Sequence, residues 1–210
     1  MSSTSRSTSR TTSPGAAGST RRSWRVVDIV VCAVVGVAAG VALWAFGLAY
    51  RPLAEALGFL APLSAVLNGG FLFPALLGGL VVRRPGAALF AEVLAGLTSM
   101  LIGTEWGVPV LVWAVVQGLA AELGFAVLGY RRWGLPAALL SGACAGLAVG
   151  LMDTTFYYPA WEAGYKLLYV LFSIPSGILL AGLLAHLVVR ALARTGALSG
   201  FASGRSGERV

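Results

Sequence analysis

Ionisable side chains inside apolar runs are the residues of this sequence most able to do chemistry. Asp28, Glu92, Glu122, Asp153 and His186 all lie within such runs. An ionisable group in an apolar, membrane-spanning helix is costly, so each one is a functional-site hypothesis. Asp28 is the exception, because it lies where the first run begins and a carboxylate there suits the positive end of a helix. We interpret it as structural.

Glu92 and the amide of Gln117 are expected at similar depths in two consecutive apolar runs, where both can face one central cavity. Trp113 precedes Gln117 by one helical turn and shares its face, which places an aromatic wall beside the amide. Glu122 lies five residues beyond Gln117 and points roughly 140° away from it. We therefore expect one of the two glutamates to contact a ligand and the other to tie helices together.

Asp153 lies near the end of the fifth apolar run, with Tyr157 one turn later and Tyr158 and Trp161 following. Trp and Tyr collect at membrane interfaces in any case, so an aromatic belt is the simpler interpretation. As a binding site, aromatic rings beside buried carboxylates would favour an organic cation or an amine-bearing ring. Such a ligand is held by cation–π contacts and charge-assisted hydrogen bonds.

Enzyme motifs are missing from the sequence. Ser176 and His186 suggest an intramembrane serine protease, but ten residues along one helix separate them by about 15 Å, beyond hydrogen-bond reach. There is no paired-His zinc motif, P-loop or glycine-rich phosphate loop. Cys32 and Cys144 lie in apolar runs without His or Cys neighbours. We expect no catalysis, no metal site and no cofactor in this chain, and any ATP would be hydrolysed by partner subunits.

Hydropathy places these residues in a membrane protein. The 210-residue chain is 58% hydrophobic and 11% charged, whereas soluble proteins are roughly 25% charged. A segment that spans the bilayer needs about 20 mainly apolar residues. The sequence predicts an all-α bundle of six transmembrane helices, at residues 26–50, 57–82, 86–103, 107–130, 135–157 and 167–190.

Arginine pairs occur at every second junction between these segments. They are Arg83–Arg84 and Arg131–Arg132, whereas the intervening junctions carry only Arg51 and Lys166. Because cytoplasmic loops collect Lys and Arg, the pattern predicts a plasma-membrane protein with both termini in the cytoplasm. The net charge of +7 then reflects contacts with anionic lipid rather than nucleic acid. We expect a disordered tail at 1–23, a membrane domain at 24–194 and a cytoplasmic tail at 195–210.

Small residues recur at four-residue spacing, which lets helices approach closely. For pairs such as Gly142/Gly146 and Ala181/Ala185 we expect packing within the bundle. The first helix is smooth around much of its circumference, so it is the expected docking surface for a partner subunit. The residues of that surface are Gly36, Ala38, Gly40 and Ala42.

The second segment is expected to be a bent or broken helix. Asn68-Gly69-Gly70 lies between Pro62 and Pro74 in this segment. Irregular backbone at membrane depth is tolerated where it is buried in protein or lines a cavity. The break is therefore a candidate border of a site.

Four separated motifs together suggest a family. They are RRPGAAL at 83–89, continuing to Glu92, VQGLAAE at 116–122, SGILLAGLL at 176–184 and ARTGALSG at 193–200. They resemble the YkoE type of substrate-binding S component of energy-coupling-factor (ECF) vitamin transporters. The resemblance runs from the first span almost to the C-terminus.

The resemblance implies a six-helix subunit that captures thiamine or its precursor hydroxymethylpyrimidine from outside. It also implies association with a membrane T component, docked on the small face of the first helix, and two cytoplasmic ATPases. Glu92, Gln117 and Glu122 become the leading substrate contacts, with Glu92 or Glu122 balancing the thiazolium or binding the aminopyrimidine. Asn68, Trp106 and Asp153 are the second-ranked candidates for contact with the substrate.

One alternative remains open from the residues alone. A stand-alone proton-coupled transporter of a small cationic heterocycle could use an intramembrane acid as its proton relay. Glu92, Glu122 and Asp153 are the candidates for that relay.

Overall fold

All regular structure in residues 24–195, the part described by a computed structural model, is helical. This confirms the all-α prediction. The predicted tails lie outside the described residues, apart from Thr195, as does the end of the motif at 193–200. The helices are α1 Val26–Ala56, α2 Asn68–Val82, α3 Ala87–Ile102, α4 Pro109–Val127, α5 Leu135–Phe156, α6 Ala163–Ser176 and α7 Leu184–Arg194, with a 3-10 helix at Ala61–Leu67 and a π-helical segment at Gly177–Leu183.

Five helical stretches in the described part are long and apolar enough to cross a membrane. The 3-10 helix runs directly into α2, and the π-helical segment joins α6 to α7, so each of these pairs makes one long stretch. The remaining predicted span, 86–103, corresponds to α3, which is apolar but only 16 residues long. The five stretches are Val26–Ala56, Ala61–Val82, Pro109–Val127, Leu135–Phe156 and Ala163–Arg194.

The second stretch is broken at the predicted place. Its first part is the 3-10 helix, and α2 begins only at Asn68. The Ser176 hydroxyl closes the break, since it accepts from the Gly69 backbone N–H at 2.8 Å and donates to the Val66 carbonyl. A side chain of α6 thus forms hydrogen bonds with backbone groups that the change of helix type leaves without a helical partner.

Close backbone contacts hold α5 against α6 and the π-helical segment. A Cβ on Gly142 would collide with the Gly177 backbone, and one on Gly146 would lie 2.5 Å from the Ser173 carbonyl oxygen. Ala181 and Ala185 are fully buried. These contacts confirm that both pairs of small residues pack within the bundle.

Gly36 and Gly40 are buried against α3 rather than available to a partner, which corrects one part of the docking prediction. A Cβ on Gly40 would lie 2.6 Å from the Thr98 Cβ and 2.7 Å from the Ala95 carbonyl oxygen. Spacing alone cannot tell which neighbour a small face meets, and here α3 already covers it. Ala38 and Ala42, the other two residues of the predicted surface, are exposed.

The arginine-rich junctions gather at one end of the bundle. Asp28 accepts from the Arg25 backbone N–H at 3.1 Å, as expected for a carboxylate in the first turn of a helix, and from Arg84 Nε at 3.2 Å. Trp24 Nε1 donates to the Pro85 carbonyl at 2.9 Å in the same region. The start of α1 and the α2–α3 turn therefore meet there, and the α3–α4 loop lies at the opposite end.

Candidate functional site

A cavity of about 410 Å³ opens at the end of the bundle opposite the arginine pairs. Its volume falls in the usual range for small-molecule sites, about 300–1,000 Å³. Seven of the eight predicted ligand contacts line it: Asn68, Glu92, Trp106, Trp113, Gln117, Asp153 and Tyr157. Four helices and the α3–α4 loop bring these residues together, since Trp106 lies on that loop and Tyr157 directly follows α5.

Glu122, the eighth predicted contact, lies outside the cavity lining. Its carboxylate accepts from the backbone N–H groups of Gly86 at 2.6 Å and Ala88 at 3.1 Å. These groups belong to the start of α3, where a carboxylate stabilises the unpaired N–H groups and the helix dipole. Glu122 is thus the glutamate that ties helices together, and it leaves the set of candidate ligand contacts.

Glu92 is 1% exposed and faces the cavity from α3. Its Oε2 accepts from the Ala75 backbone N–H at 2.6 Å, directly after Pro74 interrupts the hydrogen-bond ladder of α2. Oε1 has no hydrogen-bond partner within residues 24–195. One oxygen therefore supports the proline site, and the other is open to a ligand.

Gln117 is 5% exposed and lines the cavity from α4. Its amide hydrogen-bonds to no other residue of the described part, yet neither amide atom is sealed away from the cavity. The neighbouring Gly118 allows α3 and α4 to approach, because a Cβ there would lie 3.2 Å from the Glu92 Cβ. Gln117 and Glu92 therefore share one wall and together present an unsatisfied amide and a free carboxylate oxygen.

Asp153 is held by three neutral donors from three other elements. Its Oδ1 accepts from Trp113 Nε1 at 2.8 Å. Its Oδ2 accepts from the Tyr169 hydroxyl at 2.9 Å and from Asn68 Nδ2 at 3.3 Å. These bonds join α2, α4, α5 and α6 around one side of the cavity.

Aromatic rings form the rest of the wall. Trp106 meets Tyr50 and Phe71 edge to face, at centroid distances of 5.7 and 5.2 Å. Trp113 lies 4.9 Å from Tyr157. Such edge-to-face and tilted contacts are the arrangements that aromatic pairs prefer.

Tyr158, which follows α5, also lines the cavity. Burial raises the pKa of its hydroxyl, and the nearby Asp153 carboxylate adds to the effect. A tyrosine hydroxyl is protonated at neutral pH even at its ordinary pKa, and the shift keeps it so; it can act as a hydrogen-bond donor.

An exposed ion pair marks the mouth of the cavity. Arg51 Nε and Glu105 Oε2 are 2.7 Å apart, which links α1 to the α3–α4 loop. The Arg51 side chain is 75% exposed and that of Glu105 is 34% exposed. An ion pair this open to water contributes at most about 1 kcal/mol, so it can separate easily.

Sequence reasoning missed several lining residues as candidates, among them Arg51, Phe71, Glu105 and Tyr169. Arg51 had a topological interpretation only, and Glu105 was not singled out. Tyr169 carried a usable signal, because it lies one turn before the polar Ser173 in an apolar run and shares a helical face with it. Phe71 carried none, since a phenylalanine in an apolar helix is ordinary.

The arrangement suits a small, flat organic molecule that carries hydrogen-bonding groups. One end of such a ligand would meet Glu92 and Gln117, and its ring would lie among the aromatic side chains. No group of three or more His, Cys, Asp or Glu residues in the described ranges is placed to hold a metal ion.

Comparisons with known proteins agree with a transport role. A model of the family described as "ABC-type cobalt transport system, permease component" matches residues 27–148. The "Putative HMP/thiamine permease protein YkoE" of Bacillus subtilis (strain 168) is 33% identical over 186 residues. That match covers 88% of this chain and 92% of the relative.

The fold is shared with a solved transporter subunit. A structure described as "Crystal structure of an S-component of ECF transporter" superimposes with a TM-score of 0.81 at 33% sequence identity. The match covers 89% of this chain and 94% of the other. The chain therefore belongs to the S components of ECF transporters, which are membrane transport proteins and not enzymes.

Proposed function

We propose that this chain captures thiamine or hydroxymethylpyrimidine from outside the cell as the binding subunit of an ATP-driven ECF importer. The observation that carries the proposal is the shared wall of Glu92 and Gln117, where a free carboxylate oxygen and an unpaired amide face the cavity. The name of the Bacillus relative, an HMP/thiamine permease, supports the same ligands.

An aminopyrimidine matches this wall chemically. Its exocyclic amine donates hydrogen bonds and its ring nitrogens accept them. The Gln117 amide offers one acceptor and two donors, and the Glu92 carboxylate accepts strongly from an amine or a cation. The surrounding aromatic rings can stack on the pyrimidine and attract a thiazolium through cation–π contact.

In the proposed membrane arrangement, the five long helical stretches and the shorter α3 all cross the bilayer, and both termini lie in the cytoplasm. The arginine-rich end then faces the cytoplasm, as the distribution of positive charge favours, and the cavity opens outward in the plasma membrane. Helix α3 joins the two ends, since Glu122 caps its start and the loop carrying Glu105 follows its end. Its 16 residues extend about 24 Å.

We propose that a T component docks on the exposed alanines of α1 and that two ATPases supply the energy. Ala38, Ala42, Ala45 and Ala49 are all exposed. Their spacing of four, three and four residues places them on one helical face. A face of small residues lets a partner helix approach closely in lipid.

Calorimetric titration of the detergent-solubilised chain tests the binding function. Thiamine, hydroxymethylpyrimidine and Co²⁺ are titrated separately into the same preparation, the last because the family description names cobalt. We expect saturable, submicromolar binding of at least one organic ligand and none of Co²⁺. Binding of Co²⁺ alone, or of nothing by a monodisperse sample, would overturn the proposal.

Replacing Gln117 by leucine is expected to weaken hydroxymethylpyrimidine binding by about three- to tenfold, because each lost neutral hydrogen bond contributes roughly 0.5–1.5 kcal/mol. Leucine has a similar size, so the cavity keeps its shape. Leu119→Ala on the exposed side of the same helix serves as the control. Equal affinities of wild type and the Gln117 variant would remove the amide from the site.

Replacing Ala42 by tryptophan is expected to reduce co-purification with the co-expressed T component and ATPases at least about tenfold, because a bulky ring separates closely packed helices. Ligand binding by the isolated chain should persist, since Ala42 is exposed and outside the cavity lining. Leu147→Trp on the exposed side of α5 is the matched control. Undiminished assembly of the Ala42 variant would locate the docking surface elsewhere.

A further inference from the structure

Asp153 resembles a counter-ion for a cationic ligand, but its carboxylate is already occupied by protein groups. It is 6% exposed and accepts three hydrogen bonds, from Trp113, Tyr169 and Asn68. A carboxylate has about four lone-pair sites, so little of its accepting capacity remains. Glu92 differs, because one of its oxygens has no partner in the described residues.

The bond to Trp113 orients a ring that forms part of the cavity wall. Within residues 24–195, Oδ1 of Asp153 accepts a hydrogen bond from Trp113 Nε1 alone, at 2.8 Å. The indole packs against the buried core, and its ring contacts are an edge contact with Phe156 at 5.7 Å and a tilted contact with Tyr157 at 4.9 Å. Tyr157 is 46% exposed and Phe156 is 65% exposed, so these two rings constrain the orientation of the indole only weakly.

The acceptor itself is firmly held. Asn68 Nδ2, which donates to Asp153, also lies 3.2 Å from Ser173 Oγ, and Ser173 donates to the Gly146 carbonyl at 2.8 Å. Gly146 belongs to the close contact between α5 and α6. The position of Asp153 is thus tied to the rigid backbone packing of the bundle.

We propose that Asp153 is a positioning residue that fixes the indole of Trp113 as one wall of the ligand site, while the charge of the ligand is met at Glu92. This rests on the proposed function of the cavity. Asp153 then acts on affinity through its hydrogen bond to Trp113 and not through its negative charge.

Two variants of Asp153 separate positioning from charge. Asp153→Asn removes the charge but keeps an oxygen that accepts from Trp113, and its amide N–H can face the Tyr169 oxygen. Asp153→Ala removes the acceptor. Trp113→Phe keeps a ring without the N–H, and Trp133→Phe is its control at the arginine-rich end, where the indole donates to the Tyr130 carbonyl.

The experiment combines ¹⁹F NMR of the full chain labelled with 5-fluorotryptophan and titration with hydroxymethylpyrimidine and thiamine. The Trp113 resonance is identified by its loss in Trp113→Phe, and it is read without ligand. We expect Asp153→Asn to keep this resonance near its wild-type position, and Asp153→Ala to shift and broaden it. Affinity should fall by about threefold in Asp153→Asn, since charged acceptors form hydrogen bonds about twice as strong as neutral ones.

Two results would overturn the proposal. In the first, Asp153→Asn loses as much affinity as Glu92→Gln while the Trp113 resonance stays in place, which makes Asp153 a charge partner of the ligand. In the second, the resonance is unmoved in Asp153→Ala. If Asp153→Ala does not fold, Asp153→Asn supplies the second result instead. In that case, a displaced Trp113 resonance together with unchanged ligand affinity would count against the positioning role.

The NMR arm needs no ligand. Failure of wild type to bind either compound would therefore refute the proposed function, while the resonance would still decide the role of Asp153.

Discussion

Replacing Glu92 by glutamine is expected to weaken binding of thiamine and hydroxymethylpyrimidine by at least about tenfold, because hydrogen bonds to a charged group contribute roughly 1.5–3 kcal/mol. The side chain is 1% exposed and one of its oxygens is open to the cavity. Glutamine retains an oxygen that can accept from the Ala75 N–H, so the support of α2 beside Pro74 is kept. The change therefore isolates the charge, and calorimetric titration of the purified variant measures its effect.

Glu122→Gln is the matched control for this experiment. It makes the same chemical change at a carboxylate that caps α3 and lies outside the cavity. We expect its ligand affinity to match wild type and its thermal stability to fall, since capping interactions contribute about 0.5–2 kcal/mol. Unchanged affinity in a folded Glu92 variant would exclude Glu92 from the site. A large loss in the Glu122 variant would mean that removing a carboxylate charge outside the cavity also disturbs the cavity.

Replacing Gly142 by alanine is expected to destabilise the bundle by about 2–3 kcal/mol, the upper part of the usual range for overpacking. The new Cβ would collide with both the carbonyl oxygen and the carbonyl carbon of Gly177, and it would lie 3.2 Å from the Ile178 Cα. These are backbone atoms, so no side chain can turn aside to make room. Unfolding of the detergent-solubilised protein by added SDS, followed by circular dichroism, measures the loss.

Gly164→Ala provides the contrast for Gly142. A Cβ on Gly164 meets nothing within 4 Å, and this residue lies at the start of α6. Alanine favours a helix over glycine by roughly 0.5–1 kcal/mol, so this variant should be as stable as wild type or slightly more so. Equal stability of the two variants would show that α5 can move away from the π-helical segment without cost.

Sequence reasoning located much of the site because helix periodicity is local. Glu92 and Gln117 were expected on one cavity from their depth, and Trp113 beside Gln117 from their four-residue spacing. All three line the cavity. The break before Asn68 was also readable, because proline and glycine change the backbone wherever they stand.

Glu122 and the glycines of α1 show where such reasoning ends. A glutamate in an apolar helix has the same local signature whether it meets a ligand or caps another helix. Glu122 caps α3 only because the α2–α3 turn lies beside it. Gly36 and Gly40 have the spacing of a docking face, but α3 occupies that face.

The sequence by itself determined that the chain is helical, that it is built for a bilayer and that its arginines gather at alternate junctions. These properties depend on how short segments partition between lipid and water, so composition and spacing suffice to predict them. The tertiary structure decided which carboxylate stays open to a ligand, which one caps a helix and which one holds Trp113. Those roles depend on contacts between residues far apart in the chain, such as Asp153 with Asn68, 85 positions away. Such pairings arise only when the helices pack.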